Sequence, residues 1–296
     1  VRRVRLPYAL ALPAWVWLAI FFIVPIGVVV WYSFGYKPSI FSTNSNDILS
    51  FDRYVEALSP TFLVTFQNTL WVGVLGTLLC LIIGAPVAYW IAVKAPPSRR
   101  GMLLALVMVP FWTNFLVRTI GWQVILAPEG WMSGMLQFIG VIPGPLDALN
   151  TRGAVLLGVV YNYLPLMILP LYVAFDRVSG PLREASKDLG ANSIVTFARV
   201  TIPLARPGII AGVLLVYIPL MGDYITATVL GGAKGAMVGQ LVASQFQTAQ
   251  NWALGSAMAV LLIVMIGISI AVAALLLWLV TIPMRRRHTL RLGAES

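Results

Sequence analysis

The sequence predicts an all-α, polytopic membrane protein: six transmembrane helices in one domain covering residues 1–296. Composition, the length of the apolar runs and the placement of Lys and Arg carry that reading. Hydrophobic residues make up 59% of the chain and charged ones 10%, with a mean hydropathy of +0.89. A water-exposed domain would carry about 25% charged residues. A bilayer core needs about 20 apolar helical residues to cross it, and the runs 10–31, 69–92, 102–125, 153–175, 209–230 and 257–280 all reach that length. None alternates apolar and polar residues as a barrel strand does.

The first run starts behind Arg2, Arg3 and Arg5. At about 22 residues it exceeds the apolar core of a signal peptide, and its one small-residue cleavage candidate, Ala9–Ala11, precedes it. It therefore reads as an uncleaved helix. The 32–68 connection holds a polar tract, Ser42 to Asn46, followed by Phe51, Tyr54, Val55 and Leu58, spaced like one face of a helix lying on the membrane. Trp131, Met135, Phe138 and Ile139 are spaced similarly. Gly231, Gly232 and Gly235 break the chain after the fifth run. Pro86, Pro110, Pro165, Pro170 and Pro219 fall inside runs and read mostly as static bends backed by neighbouring helices.

Charge sets the orientation. Fifteen of the twenty Lys and Arg residues fall on one side, in the two ends and the 93–101 and 176–208 loops; Lys37, Arg53, Arg152 and Lys234 fall on the other, and Arg118 lies within a run. The positive-inside rule puts both ends and the 176–208 loop in the cytoplasm. The net charge of +10 thus reports topology and lipid contact, with Arg285–Arg287 as a headgroup anchor, rather than nucleic-acid binding. One cysteine, Cys80, and one histidine, His288, leave no intrachain disulfide and no His- or thiolate-based metal or catalytic constellation.

The 176–208 loop reads as two short helices. Pro181 suits a helix start, Leu182, Ala185 and Leu189 share a face, and Gly190 can end the helix in a left-handed conformation. Asn192 can cap a second helix bearing Ile194, Phe197 and Ala198, with Pro203 barring its continuation. Within this loop, Glu184-Ala185-Ser186, three residues, Gly190, nine residues and Val200-Thr201-Ile202-Pro203 resemble the signature of ATP-binding-cassette importer permeases. That signature is Glu-Ala-Ala, three residues, Gly, nine residues, Ile-x-Leu-Pro. Ser186, Val200 and Ile202 depart from it conservatively.

The resemblance implies the type I importer permease fold and makes this loop the coupling element that docks on a cytoplasmic ATPase. Glu184, Ala185, Ser186, Gly190 and Pro203 would be its coupling residues. It also implies that ATP and magnesium are bound by that separate subunit. Here Gly231-Gly232-Ala233-Lys234-Gly235 is only superficially like a phosphate loop, since no Gly-x-x-x-x-Gly-Lys-Ser/Thr occurs.

More of the chain carries the likeness. Pro110-Phe111-Trp112-Thr113, Arg118-Thr119, Tyr161-Asn162-Tyr163-Leu164-Pro165 and Gly222-Asp223-Tyr224 followed by Leu230-Gly231-Gly232 are similar to the B-type permeases of spermidine/putrescine importers. That likeness implies several partners: a homologous C-type permease, an ATPase dimer and an extracytoplasmic polyamine-binding protein. The location implied is the bacterial cytoplasmic membrane. The same branch includes importers of opines, phosphonates or ferric iron, so the solute stays open between these classes.

The residues themselves suit a polycation. Asp223 is the one carboxylate inside a predicted run, Tyr224 follows it, and Trp112, Tyr161 and Tyr163 offer aromatic faces. Arg118 and Asp223 sit at matching depths, about 5 Å outward of the centre of their runs. Asp223 is thus a waypoint for solute or the counter-ion of Arg118. Two other classes are weighed against a permease subunit: a secondary transporter, disfavoured by the absence of an inverted repeat, and a membrane enzyme, disfavoured by the lack of catalytic groups.

Overall fold

The computed structural model describes the backbone of residues 6–292 and the side chains of 11–276, 278 and 279. Arg2, Arg3 and Arg5, and the side chains of Arg285–Arg287, His288 and Arg291, lie outside the described residues. In chain order the helices are α1 (Ala11–Tyr32), α2 (Asp52–Ala57), α3 (Pro60–Lys94), α4 (Pro97–Trp112), α5 (Phe115–Leu126) and α6 (Trp131–Phe138). They continue as α7 (Arg152–Asp176), α8 (Gly180–Asp188), α9 (Ser193–Met221), α10 (Val238–Gln247) and α11 (Trp252–Leu292). Of these, α1, α3, α7, α9 and the Trp252–Leu276 part of α11 are each long and apolar enough to cross a membrane.

Two of the expected runs take another form. The third is broken: α4 and the Phe115–Phe138 stretch that follows it meet at an 82° bend. Thr113 and Asn114 are extended there, and the Asn114 side chain accepts hydrogen bonds from the Leu116 and Val117 amides at 2.8 and 3.4 Å. A capped helix start inside an apolar run ends one helix and begins another. The fifth run is displaced toward the N-terminus. Its helix already begins at Ser193 and stops at Met221, so Asp223 lies beyond the helix rather than within it. Pro203 does not end the second loop helix, because a π-helical stretch, Phe197–Thr201, lies immediately before α9's proline. Widening the ladder there accommodates a residue with no N–H to give.

The chain divides into two units. In the unit formed by the residues up to Ser59 and from Val242 onward, α1 has no buried residue, as befits a helix facing lipid or another subunit. Its exit is tied down by polar and aromatic contacts: Ser33 Oγ and Tyr54 Oη are 2.6 Å apart, and Phe34 packs edge-on to Phe51 at 5.2 Å. Phe51 and Val55 face outward from α2 while Tyr54 turns inward. Lys37 Nζ donates to the Ala249 carbonyl at 2.7 Å.

The other unit, Pro60–Leu241, is built on α3, α7 and α9, which pack through small residues. Gly76 sits 3.2 Å from Leu220 and Val159, and Gly84 sits 3.3 Å from Ile168 and Met167 (each measured to the position a Cβ would take). Gly212 faces Met167, and Gly208 faces Ala174 directly. Small residues allow backbones to approach closely where no hydrophobic effect drives helices together. Residues 222–241 fold back onto this core: Thr69 Oγ1 accepts from the Val238 amide at 2.9 Å, and Leu230, Met237 and Val238 are fully buried.

Candidate functional site

Two sets of residues stand out, both in the Pro60–Leu241 unit. The first is the α8–α9 hairpin. Helix α8 starts at Gly180 with Pro181 in its first turn, as the sequence predicts. Gly190 takes φ +85, so the helix closes with the left-handed residue that only glycine adopts at little cost. Asn192 Oδ1 accepts from the Val195 amide at 2.9 Å and caps α9. Ser186 Oγ lies 3.1 Å from Thr196 Oγ1, which pins the two helices together. What remains faces outward: Leu182 is 50% exposed, Leu189 89% and Ile194 78%. Glu184 and Ala185 are also exposed. Pro203 sits half-buried within α9, just past the π-helical stretch.

The second set surrounds the chain break after α9. Asp223 is buried, and its carboxylate accepts from the Thr226 amide at 3.0 Å and the Thr226 hydroxyl at 2.5 Å. It caps the short segment that begins at residue 225, and this is why the chain can restart a helix so soon after Gly222. Arg118 is also buried, on α5, with its guanidinium carbon 5.7 Å from the Phe111 ring centre and 5.5 Å from that of Phe115. Its Nε and Nη1 have no hydrogen-bond partner among the described residues. Of the two alternatives left open for Asp223, pairing with Arg118 is not seen in this structure: the ion pairs among the described residues are Arg53–Glu56 and Arg100–Asp176. Each charge is held by its own neighbours instead.

Tyr163, on α7, is also buried. Its hydroxyl donates to the Pro219 carbonyl at 3.5 Å, and its ring packs edge-on to Phe115 at 6.0 Å. Tyr161 is more exposed and packs on Trp122 at 5.5 Å. Trp112, 77% exposed at the α4–α5 bend, and Tyr224, 41% exposed at the break, are turned outward and stand apart from this cluster. Sequence reasoning missed Thr226, Phe111 and Phe115 as the immediate partners of the two charges. It also missed the buried Asn162–Thr119 hydrogen bond of 3.1 Å. The signals were present in Asp-x-x-Thr before an apolar turn and in aromatics three and seven residues before Arg118.

Comparison with known proteins identifies relatives in both sequence and fold. The spermidine/putrescine transport system permease protein PotB of Escherichia coli K12 is 36% identical over 256 residues, covering 86% of this chain and 92% of that protein. Its counterpart in Haemophilus influenzae is 40% identical, covering 86% and 88%. In fold, the chain matches a bacterial ABC transporter involved in the import of the acidic polysaccharide alginate. The TM-score is 0.65 at 19% identity, with 95% of both chains covered. A model of binding-protein-dependent transport system inner membrane components matches residues 84–287. A helical core with membrane-length helices, the fold match and these relatives agree: the chain belongs to the binding-protein-dependent transport system inner membrane component family.

Proposed function

We propose that this chain is one of two homologous membrane subunits of an ATP-driven polyamine importer. It forms half of the pathway for spermidine or putrescine. The residues before α1, those after α11 and the α8–α9 hairpin lie in the cytoplasm, and a partner ATPase dimer, which binds the ATP and magnesium, docks on that hairpin. An extracytoplasmic binding protein delivers the solute, and the chain itself catalyses no reaction.

The observation that carries the coupling role is the hairpin's surface. Leu182, Leu189 and Ile194 leave apolar surface uncovered beside Glu184, which makes no ion pair among the described residues. Apolar anchors rimmed by charge are what a protein partner would cover. The solute class rests on relatives whose names specify spermidine and putrescine. Asp223, Tyr163, Tyr161, Arg118, Trp112 and Tyr224 are the candidates for the pathway lining.

The test is reconstitution of the chain with its second permease and ATPase in liposomes, with uptake of labelled spermidine followed in the presence of the binding protein. ATP-dependent uptake is the expected result. Uptake that persists without the ATPase would indicate a secondary transporter. A binding protein that holds an opine, a phosphonate or ferric iron would change the solute and leave the architecture standing.

A further inference from the structure

Beside the proposed docking face, and sharing Glu184 and Ile194 with it, lies a cleft whose basic side chains the coupling role does not use. It opens between the last turns of α3 and the inner side of the α8–α9 hairpin and has a volume of about 670 Å³. Its mouth carries Lys94, Arg183 and Lys187 against a single carboxylate, Glu184. None of the three cations takes part in an ion pair among the described residues, and Arg183 Nη1 is buried there without a hydrogen-bond partner.

The inner wall has the opposite character. Ile82 and Pro86 line it, and Ile82 is 57% exposed on a face of α3 that also presents Leu78, 46% exposed. That apolar strip runs up the membrane-spanning part of the helix. Tyr89 and Phe197, packed edge-to-face at 4.9 Å, line the region between the charged mouth and the apolar wall.

A site with a cationic mouth, an aromatic collar and an apolar wall continuous with a lipid-facing helix has the polarity profile of one molecule: an anionic phospholipid. We infer that the cleft holds such a lipid from the cytoplasmic leaflet, with its phosphate against Lys94, Arg183 and Lys187 and an acyl chain along Ile82 and Leu78. A soluble anion would use the mouth and leave the wall idle. A neutral lipid would use the wall and leave the cations uncompensated. Because Arg183 and Lys187 belong to α8, the occupant would brace the docking hairpin against α3. The proposal draws on the function proposed above only for placing this cleft on the cytoplasmic face.

The experiment uses the intact importer complex purified in mild detergent. Native mass spectrometry counts retained lipid after exposure to phosphatidylglycerol, to phosphatidylcholine or to inorganic phosphate. Preferential retention of phosphatidylglycerol is expected. Lys94→Gln and Arg183→Gln should each weaken it about fivefold, and together roughly 25-fold. Ala85→Phe, which fills the wall and spares the charges, should also abolish it.

Equal retention of the two lipids, or retention unchanged in the double Gln variant, would overturn the proposal. Competition by millimolar inorganic phosphate together with indifference to Ala85→Phe would assign the cleft to a soluble anion. Cross-linking of a cysteine at position 94 to the ATPase would assign it to that subunit, and either outcome overturns the lipid. Lys94 lies on the surface, so its variant reports binding rather than folding. The orientation is checked separately: labelling a cysteine at position 189 from the outer side would refute the topology and leave the retention result standing.

Discussion

Asp223 and Arg118 are each a charge in an apolar setting, and each is stabilised in its own way. The carboxylate gains two hydrogen bonds from Thr226 by capping the restarted helix. The guanidinium gains the faces of two phenylalanines, an interaction worth up to about 2 kcal/mol when desolvated. Asparagine caps a helix about as well as aspartate. Asp223→Asn is therefore expected to keep normal membrane yield while slowing polyamine uptake, whereas Asp223→Ala should also lose about 1 kcal/mol of stability. Yield after detergent extraction and uptake in vesicles separate the two effects. Adding Arg118→Gln to Asp223→Asn should not rescue uptake, since the two side chains are not paired in this structure. Collapse of the single variant with recovery of the double one would show that they pair in another state of the cycle.

At the scale of elements, two glycines fail for different reasons. A Cβ on Gly190 would meet nothing within 4 Å, yet φ is +85, so Gly190→Val strains the turn and tilts the α8–α9 hairpin. The expected outcome is a normally inserted protein with weakened ATPase recovery and lost transport-coupled hydrolysis; Gly190→Asn should be much milder. Glu184→Lys should act in the same direction by reversing a charge on the proposed docking face. Normal recovery and normal coupled hydrolysis in both Gly190→Val and Glu184→Lys would refute the coupling role. Gly208 is the other case: its Cβ would collide with the Ala174 methyl and come within 3.4 Å of the Pro170 carbonyl. Gly208→Leu should force α7 and α9 apart, at a cost of about 1–3 kcal/mol, read as a lowered melting temperature rather than as selective uncoupling.

For the whole molecule, the testable property is sidedness. Fully buried Cys80 should stay silent to a membrane-impermeant maleimide. A cysteine replacing Leu189 should label only in inside-out vesicles, and one replacing Phe41, 94% exposed in the 33–51 connection, only in right-side-out ones. Labelling of both from one side would invalidate the topology. The three basic residues Arg285–Arg287 belong to the same scale. Replacing all three with Gln should weaken insertion or lipid association, at about 1 kcal/mol per charge, and leave coupled hydrolysis largely intact. Loss of coupling at normal insertion would give that segment a different role.

The sequence by itself determined the apolar composition, the approximate positions of the membrane helices, the charge asymmetry and the hairpin with its capping residues. All of these follow from local terms: run length against bilayer thickness, the φ that Gly190 alone tolerates, and the cap that Asn192 provides. Hydropathy could not locate the 82° bend at Thr113–Asn114 or the early end of α9 at Met221. An apolar run has the same mean value whether it is straight or broken, and only a cap engaging its own backbone distinguishes the two. The tertiary structure alone decided which groups hold Arg118 and Asp223. Depth along a helix says nothing of azimuth, and two charges at one level can face different neighbours. The cleft beside the hairpin is of the same kind. Lys94 and Arg183 lie 89 positions apart in the sequence, and only the packing of α3 against the α8–α9 hairpin places both at its mouth.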